Sequence, residues 1–350
     1  MAKRTVVGAG LSGMVAAIDL ARQGDEVLIL EKEKAIGGSP AYHPSLHATP
    51  IDLRYTSDFI SIDVSSCFQL LSETQLWIRN KRLYPSLNHY GVERGDRETA
   101  IDSYLYKMCL DHGVQFKFGH PVNRLKDVPP GSIVATGTMC TVSDFSVHKR
   151  IDGHGYAFVM ETKLGPANWQ FSDTYSPDYF YAVAMNGILY GLVFGRRTHI
   201  EEKSLEIINR QCRERAGFEI QGWKPFYCET MIGTRLFFGP GDRYIMTGSA
   251  SGSYDPYCGY GIVGALTSGK VSALALRDRD GAQVLFDRMN RNHMYLYYMF
   301  ETIARLPQSV KLQMLASMPA YYKYTKVLFG RMGHGIPGYP RDWMEEFTRD

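Results

Sequence analysis

A chain of 350 residues, 45% hydrophobic and 21% charged, is long enough for one large or two closely packed globular units. Its net charge of only +3, with no basic block and no nucleic-acid-binding motif, excludes a nucleic-acid partner. Six cysteines, Cys67, Cys109, Cys140, Cys212, Cys228 and Cys258, stand apart without CxxC spacing, so no metal centre and no disulfide framework are expected, and the reducing cytoplasm is the expected compartment. The first strand begins so close to the N-terminus that no cleavable leader is expected. No apolar run reaches the ~20 residues of a membrane span.

Thr5 to Val7 forms a short apolar strand that runs into Gly8-Ala9-Gly10-Leu11-Ser12-Gly13. A helix follows, with Met14, Ala17, Ile18 and Ala21 on one face; Gly24 stops it, and Glu26 to Leu30 forms a second strand ending on Glu31 and Lys32. The glycines serve a tight turn, close approach of backbone to a pyrophosphate, and close packing of helix on strand. The helix N-terminus then offers free N–H groups and a positive dipole end to the phosphates. Glu31 stands where an acid accepts hydrogen bonds from an adenosine ribose, which argues against a 2′-phosphate. With Gly37-Gly38 behind it, the run GxGxxG…E…GG resembles the N-terminal signature of FAD-binding proteins more than that of NAD dehydrogenases.

Ser39 to Asp63 reads as mixed and loop-rich; in a flavin fold it passes the isoalloxazine, which makes His43 and His47 candidate active-site residues. Cys67 to Tyr84 alternates enough to give strands of an inserted sheet. Tyr90 to Phe118 gives a strand end, a helix with Ile101, Leu105, Met108 and Cys109 on its apolar face, and a return strand. Ser132-Ile133-Val134-Ala135-Thr136-Gly137 is an apolar strand ending in Ala-Thr-Gly. From Lys149 to Phe194 alternating aromatic stretches predict an antiparallel sheet, with Asn186-Gly187 as a hairpin turn. A helix over Glu201 to Ala216 and a return to the sheet over Lys224 to Phe238 complete it. Tyr244 to Thr247 is a strand ending at Gly248, and a small-residue helix starts near Gly261. Asp287 to Gly330 is helical and rich in Met, Tyr and Leu, followed by an irregular tail over Gly333 to Pro340.

Gly248, Ala250, Gly252, Pro256, Gly259, Gly261 and Ile262 fall in register with the second FAD motif of the p-hydroxybenzoate hydroxylase superfamily. The order of elements from residue 5 to about 278 resembles that superfamily throughout. The resemblance implies an α/β fold: a Rossmann-type (GR2-like) FAD-binding domain over 1–65, 90–150 and 240–280, an interleaved antiparallel-sheet substrate domain over 66–89 and 151–239, and a helical C-terminal segment over 281–350. It implies FAD contacts from the glycine turn, Glu31, Lys32, Gly37, Gly38, Arg94 (or Arg97), Val122, Ala135, Thr136 and Gly137. From the second motif it adds Gly248, Ser249, Pro256, Gly259, Gly261 and Ile262. The family's ribityl-binding aspartate is Ser249 here, a weaker hydrogen-bonding group, with Asp255 near enough in sequence to compensate.

Within the superfamily the chain resembles the geranylgeranyl reductase branch, although Tyr181-Ala182-Val183-Ala184-Met185 replaces that branch's aromatic sheet motif. The implied function is FAD-dependent reduction of C=C bonds in an apolar, isoprenoid-like or conjugated substrate, with hydride from flavin N5. With no second GxGxxG, electrons are expected from an external donor, NAD(P)H or a redox protein. Competing readings are a flavin monooxygenase of the same fold, an amine-oxidase or desaturase-like oxidase, and a non-enzymatic flavin or lipid binder. Cys258, next to a helix N-terminus, is a candidate proton donor or pocket-shaping residue. The Met-rich C-terminal helices suit a core, a cavity wall or a shallow peripheral membrane contact.

Overall fold

The apolar run before the first glycine forms β1 (Lys3–Val7), and the turn feeds directly into α1 (Leu11–Arg22) and then β2 (Glu26–Leu30). In this computed structural model, which describes residues 2–38, 43–83, 89–137, 149–176, 178–196, 199–232, 237–255, 259–314 and 316–317, α1 is buried on every side from Leu11 to Leu20. A helix without a wet face needs partners all round. α1 has the parallel sheet on one side and, on the other, a later small-residue helix described below.

The chain continues through β3 (Ser45–Thr49), α2 (Leu53–Ile60), β4 (Phe68–Leu70), β5 (Glu73–Ile78), β6 (Lys81–Leu83) and β7 (Tyr90–Arg94). The expected loop-rich character of 39–63 is corrected here: β3 pairs antiparallel with β7, and Asp52 caps α2 by accepting from the Tyr55 amide at 2.8 Å. The expected single inserted sheet over Cys67 to Tyr84 divides in two. β4 pairs with β7 in a three-stranded sheet of order β3-β7-β4, whereas β5 and β6 join the large sheet.

α3 (Ile101–Asp111) and β8 (Gln115–Lys117) follow, then β9 (Ser132–Val134). The long antiparallel run is β10 (Lys149–Glu161), β11 (Ala167–Ser172), β12 (Phe180–Met185) and β13 (Ile188–Arg196); α4 (Lys203–Ala216) leads to β14 (Lys224–Ile232). β15 (Tyr244–Met246), α5 (Ile262–Leu274) and α6 (Arg279–Ala304) close the described fold. Helix α6 starts earlier than the expected Asp287, because Asp278 caps it by accepting from the Gly281 amide at 2.9 Å. The expected tail over Gly333 to Pro340 lies outside the described residues.

Five parallel strands make the first sheet, in the order β15-β9-β1-β2-β8. The second sheet has seven strands, β14-β10-β13-β12-β11-β5-β6, antiparallel except where β5 runs beside β11. Asn186 and Gly187 join β12 to β13 with φ of 51° and 77°, the left-handed pair that a two-residue hairpin turn needs. Alternation divides this sheet cleanly. Phe158, Trp169, Phe171, Phe180 and Val193 pack against Ile208 and Cys212 of α4, while Val183, Met185, Tyr190 and Leu192 pack against Leu46 and Ala48 of β3.

The hairpin is also tied to the small sheet. The Asn186 amide donates to Glu93 Oε2 at 2.7 Å, and Arg97 donates to the Asn186 carbonyl at 2.9 Å. Glu93 is fully buried, accepts from Thr99 at 2.7 Å and pairs with Arg97 at 3.2 Å. Breaking one member of such a network leaves a buried charge short of partners. Among the described residues no helix is long and apolar enough to cross a membrane.

His293 on α6 is buried with Nδ1 unpartnered among the described residues, and burial pushes it down to about 4. The unfolded chain therefore binds the extra proton between about pH 6.5 and pH 4. Its contribution falls as pH falls through that window, so stability rises with pH there. Urea titrations from pH 7 to pH 4 should show His293→Leu with a flatter pH dependence, by on the order of 3 kcal/mol across the window.

Candidate functional site

All five strands of the first sheet are parallel, so Gly8, Glu31, Ala135 and Gly248, each following a strand, come to one edge. That edge is where open parallel sheets bind ligands. The three motif glycines differ in what they do. Gly8 has φ of +106°, and a Cβ there would lie 2.4 Å from the Ala135 carbonyl oxygen. A Cβ on Gly13 would lie 2.1 Å from the Gly8 carbonyl oxygen. Around Gly10 nothing lies within 4 Å of the same position. Gly8 and Gly13 therefore let chain segments touch, and Gly10 alone faces open space. Gly10 is also the N-cap of α1 and supplies no side-chain cap, so the first turn at Leu11, Ser12 and Gly13 lacks one.

The flanks of this edge are built from short contacts. Glu31 is buried; its carboxylate accepts from the Ala9 amide at 2.6 Å and the Glu33 amide at 2.9 Å. Two of its roughly four acceptor sites are thus used in holding the turn. Lys32 is half exposed and pairs loosely with Glu33 at 3.8 Å. The Thr136 hydroxyl is buried without a hydrogen-bond partner among the described residues, and Gly137 follows with φ of +72° and open space beside it. Val122 packs with Val7, Leu30, Val134 and Met246 beneath the edge. An orphaned buried hydroxyl, an open glycine and an uncapped helix N-terminus are what a dinucleotide-shaped ligand would satisfy.

The second motif interlocks with the first at Ser12. A Cβ on Gly248 would lie 2.5 Å from Ser12 Oγ, and one on Gly269 of α5 would lie 2.5 Å from the Ser12 carbonyl oxygen. Gly248 is further held by Ser268 Oγ, which accepts from its amide at 2.9 Å, and Ser249 beside it is half-buried. Asp255 is buried in the following turn, where its amide donates to the Tyr260 carbonyl at 2.9 Å. Gly261 is the N-cap of α5, again without a side-chain cap. Pro256 and Cys258 lie outside the described residues, as does Cys140.

At the N-terminus of α5 lies a partly open cavity, walled by Gly259, Tyr260, Gly261 and Ile262, by His47, Ala48 and Thr49 of β3, and by Gln170, Tyr179 and Tyr181 from the large sheet. Its walls thus come from three sheet or helix layers. Burial, then the neighbouring phenol of Tyr190, raises the Tyr181 hydroxyl well above the usual tyrosine range. His47 is a half-buried residue of β3 opposite Val92, not a loop histidine. Burial first and the Arg94 charge second push it down to about 3, and His43 to about 4. Among the described residues the wall contains no carboxylate, lysine or arginine.

Arg94, expected at the cofactor, is gripped by Asp102: Nε donates to Oδ2 at 2.7 Å and Nη2 to Oδ1 at 2.9 Å. Arg97 is spent on Glu93 and the Asn186 carbonyl. The tight turn at Gly37, with φ of +96°, packs on the Gly95 backbone beside Arg94 and brings Gly38 against His43. Sequence reading did not single out Gln170, Tyr179 or Tyr181 at this wall, although the alternation of Tyr179 and Tyr181 in the aromatic stretch was an available signal for two of them. Gly13→Ala should destabilise the folded protein by about 3 kcal/mol through overpacking, whereas Gly10→Ala should change it by less than about 1 kcal/mol. Thermal melts of the two variants without added ligand test this.

Residues 6–52 match the family model of an NAD(P)-binding Rossmann-like domain. Over 59 residues the chain is 41% identical to the flavin-containing monooxygenase FMO GS-OX2 of Arabidopsis thaliana, a stretch that is 17% of this chain and 13% of that protein's length. The whole chain is similar in structure to a geranylgeranyl bacteriochlorophyll reductase-like protein from Thermoplasma acidophilum, with TM-score 0.67 at 14% identity over 99% of this chain and 96% of that one. It is also similar to CtdE in complex with FAD, with TM-score 0.58 at 14% identity over 88% of this chain and all of the other. The chain therefore has the α/β fold of FAD-binding oxidoreductases, with a Rossmann-like nucleotide-binding element at its N-terminus.

Proposed function

We propose that this protein is an FAD-dependent oxidoreductase that reduces C=C bonds of a neutral apolar or conjugated substrate, in the manner of the geranylgeranyl reductase branch. The observation that carries the substrate class is the cavity at the N-terminus of α5, aromatic and amide-lined, with no charged side chain in its wall among the described residues. Pockets of this kind bury apolar ligands and orient them with a few polar groups, here Gln170, His47 and the tyrosines. Bound FAD would supply the two-electron chemistry at the cavity.

The residues fit that cofactor. The open face at Gly10 and the uncapped first turn of α1 receive the pyrophosphate, while Glu31, Lys32, Val122, Thr136 and Gly137 flank the adenosine half. Gly248 and Ser249 meet the ribityl chain, and the backbone of Gly259 to Ile262 meets the flavin edge, where the positive end of α5 favours negative charge. Gly37 and Gly38 of the turn after β2, with Arg94 of β7, would close the site, Arg94 acting as a charge held in place by Asp102. Electrons come from an external donor, NAD(P)H or a redox protein. A shallow membrane contact would use the exposed Tyr298, Val310 and Met314.

The likeness over 59 residues to a flavin-containing monooxygenase favours a second reading, oxygen insertion on the same fold. Anaerobic mixing with NADH or NADPH, followed by air and candidate isoprenoids, separates the two. Reduction of the alkene without oxygen supports the first reading. Oxygen uptake matched by a hydroxylated product supports the second.

Two variants test the cofactor assignment. Gly10→Val should fold normally and purify with less than a tenth of the wild-type FAD, read by absorbance against protein content. Undiminished flavin in that variant would remove the pyrophosphate from this turn. Ser249→Asp should tighten FAD by about 1 kcal/mol, the gain of one charge-assisted hydrogen bond. Titration into the FAD-stripped protein measures it.

A further inference from the structure

The two histidines of the Gly38-to-Thr49 stretch are joined by one side chain. Ser45 Oγ lies 3.0 Å from His43 Nδ1 and 3.0 Å from His47 Nε2. Ser45 is only 2% exposed, and its register partner on β7 is Arg94. His47 reaches the wall of the cavity. At the other end, His43 Nε2 lies against Gly38, where an added Cβ would come within 3.1 Å of it. The three side chains thus run in a line from the Gly38 turn to the cavity.

We propose that Ser45 makes His43 and His47 a proton relay, through which a substrate in the cavity exchanges a proton with the Gly38 side of the site. This rests on the cavity being the substrate site of the flavoenzyme described above. One hydroxyl between two imidazole nitrogens can donate to one of them and accept from the other, so the line has two polarities. In the first, His43 Nδ1–H donates to Ser45, Ser45 O–H donates to His47 Nε2, and His47 Nδ1 carries its proton as an acid. In the second, His47 Nε2–H donates to Ser45, Ser45 O–H donates to His43 Nδ1, and His47 Nδ1 is a base.

Passage from the first to the second moves three protons by one bond each. The Nδ1 proton of His47 goes to the substrate, the Ser45 proton goes to His47 Nε2, and the His43 Nδ1 proton goes to Ser45. A fourth enters at His43 Nε2, so one proton arrives and one leaves. Addition of hydrogen across a double bond needs such a proton besides the hydride, and among the described residues this wall has no carboxylate or ammonium to give it. Burial and the positive Arg94 hold both rings neutral; Asp102 and Asp96 and a hydrogen bond to the Arg94 backbone act in the opposite sense more weakly on His43, as Asp102 does on His47. Neutral rings are what exchange by tautomer requires. Ser45 is a positioning residue here, and His47 is the group that meets the substrate.

The test is long-range ¹H–¹⁵N spectroscopy of FAD-loaded protein labelled with ¹⁵N-histidine, at pH 7, assigned with His43→Gln and His47→Gln. Of the two nitrogens that face Ser45, one should carry a proton and the other should be bare. Ser45→Ala should change the tautomer balance of at least one ring, and Ser45→Thr, which keeps the hydroxyl, should restore it. Both facing nitrogens protonated, both bare, or tautomers unmoved in Ser45→Ala would each overturn the relay. Flavin absorbance on the same samples keeps the two ideas apart: wild-type protein that binds no FAD removes the flavoenzyme reading, whereas full FAD content with uncoupled rings removes the relay alone.

Discussion

Backbone meeting backbone, with no Cβ between, is the constraint on which this structure depends. Gly13 rests on the Gly8 carbonyl, Gly8 on Ala135, Gly269 on Ser12, and Gly264 on the Ser253 carbonyl, each at a distance where an added methyl would fall within 2.5 Å of an oxygen. These contacts bring the first strand, α1 and α5 closer than ordinary side chains permit. Their joint result is to fix two uncapped helix N-termini, those of α1 and α5, relative to one sheet edge. Polar ties reinforce the arrangement: Lys270 of α5 donates to the buried Asp19 of α1.

The cavity owes its neutrality to the same economy of placement. Its charged neighbours are kept behind the wall, Arg94 by Asp102 and Arg97 by Glu93. The histidines are held neutral by burial and by Arg94, and the Tyr181 phenol is held protonated by burial and Tyr190. In a low-dielectric wall an unpaired charge would cost several kcal/mol. A surface made of amide, phenol, imidazole and glycine avoids that cost and still offers hydrogen bonds.

Much of this was legible because glycine and hairpin signals act locally. The strand–GxGxxG–helix–strand order, the Asn186-Gly187 turn, the strand leading into Ala135 and the small-residue helix from Ile262 all stand where their residues place them. Other features depend on partners distant in sequence. β3 is a strand because Ser45 to Thr49 pairs with Tyr90 to Arg94, a fact that the prolines and histidines around it conceal. The different work of Gly10 and Gly13 was equally hidden, since only the neighbours at Gly8 and Ala135 distinguish an open glycine from a packed one. Arg94 reads as a free cation in sequence and is a bound one in space, because Asp102 in the first turn of α3 holds it.

Strand order in the parallel sheet has a consequence for synthesis. β1 at residues 3–7 takes β9, at 132–134, as one neighbour, and β9 in turn takes β15, at 244–246. Much of the long antiparallel run between β9 and β15, the β11–β12–β13 meander above all, can pair with nearby chain as it emerges from the ribosome. The nucleotide edge cannot, because its last strand and α5 are made only after that run. Pairings of such separation are slow to form and leave apolar edges exposed meanwhile. FAD capture is thus a late event in the life of a nascent chain, since the N-terminal helix waits for α5, its second wall, until nearly the whole described fold has been made.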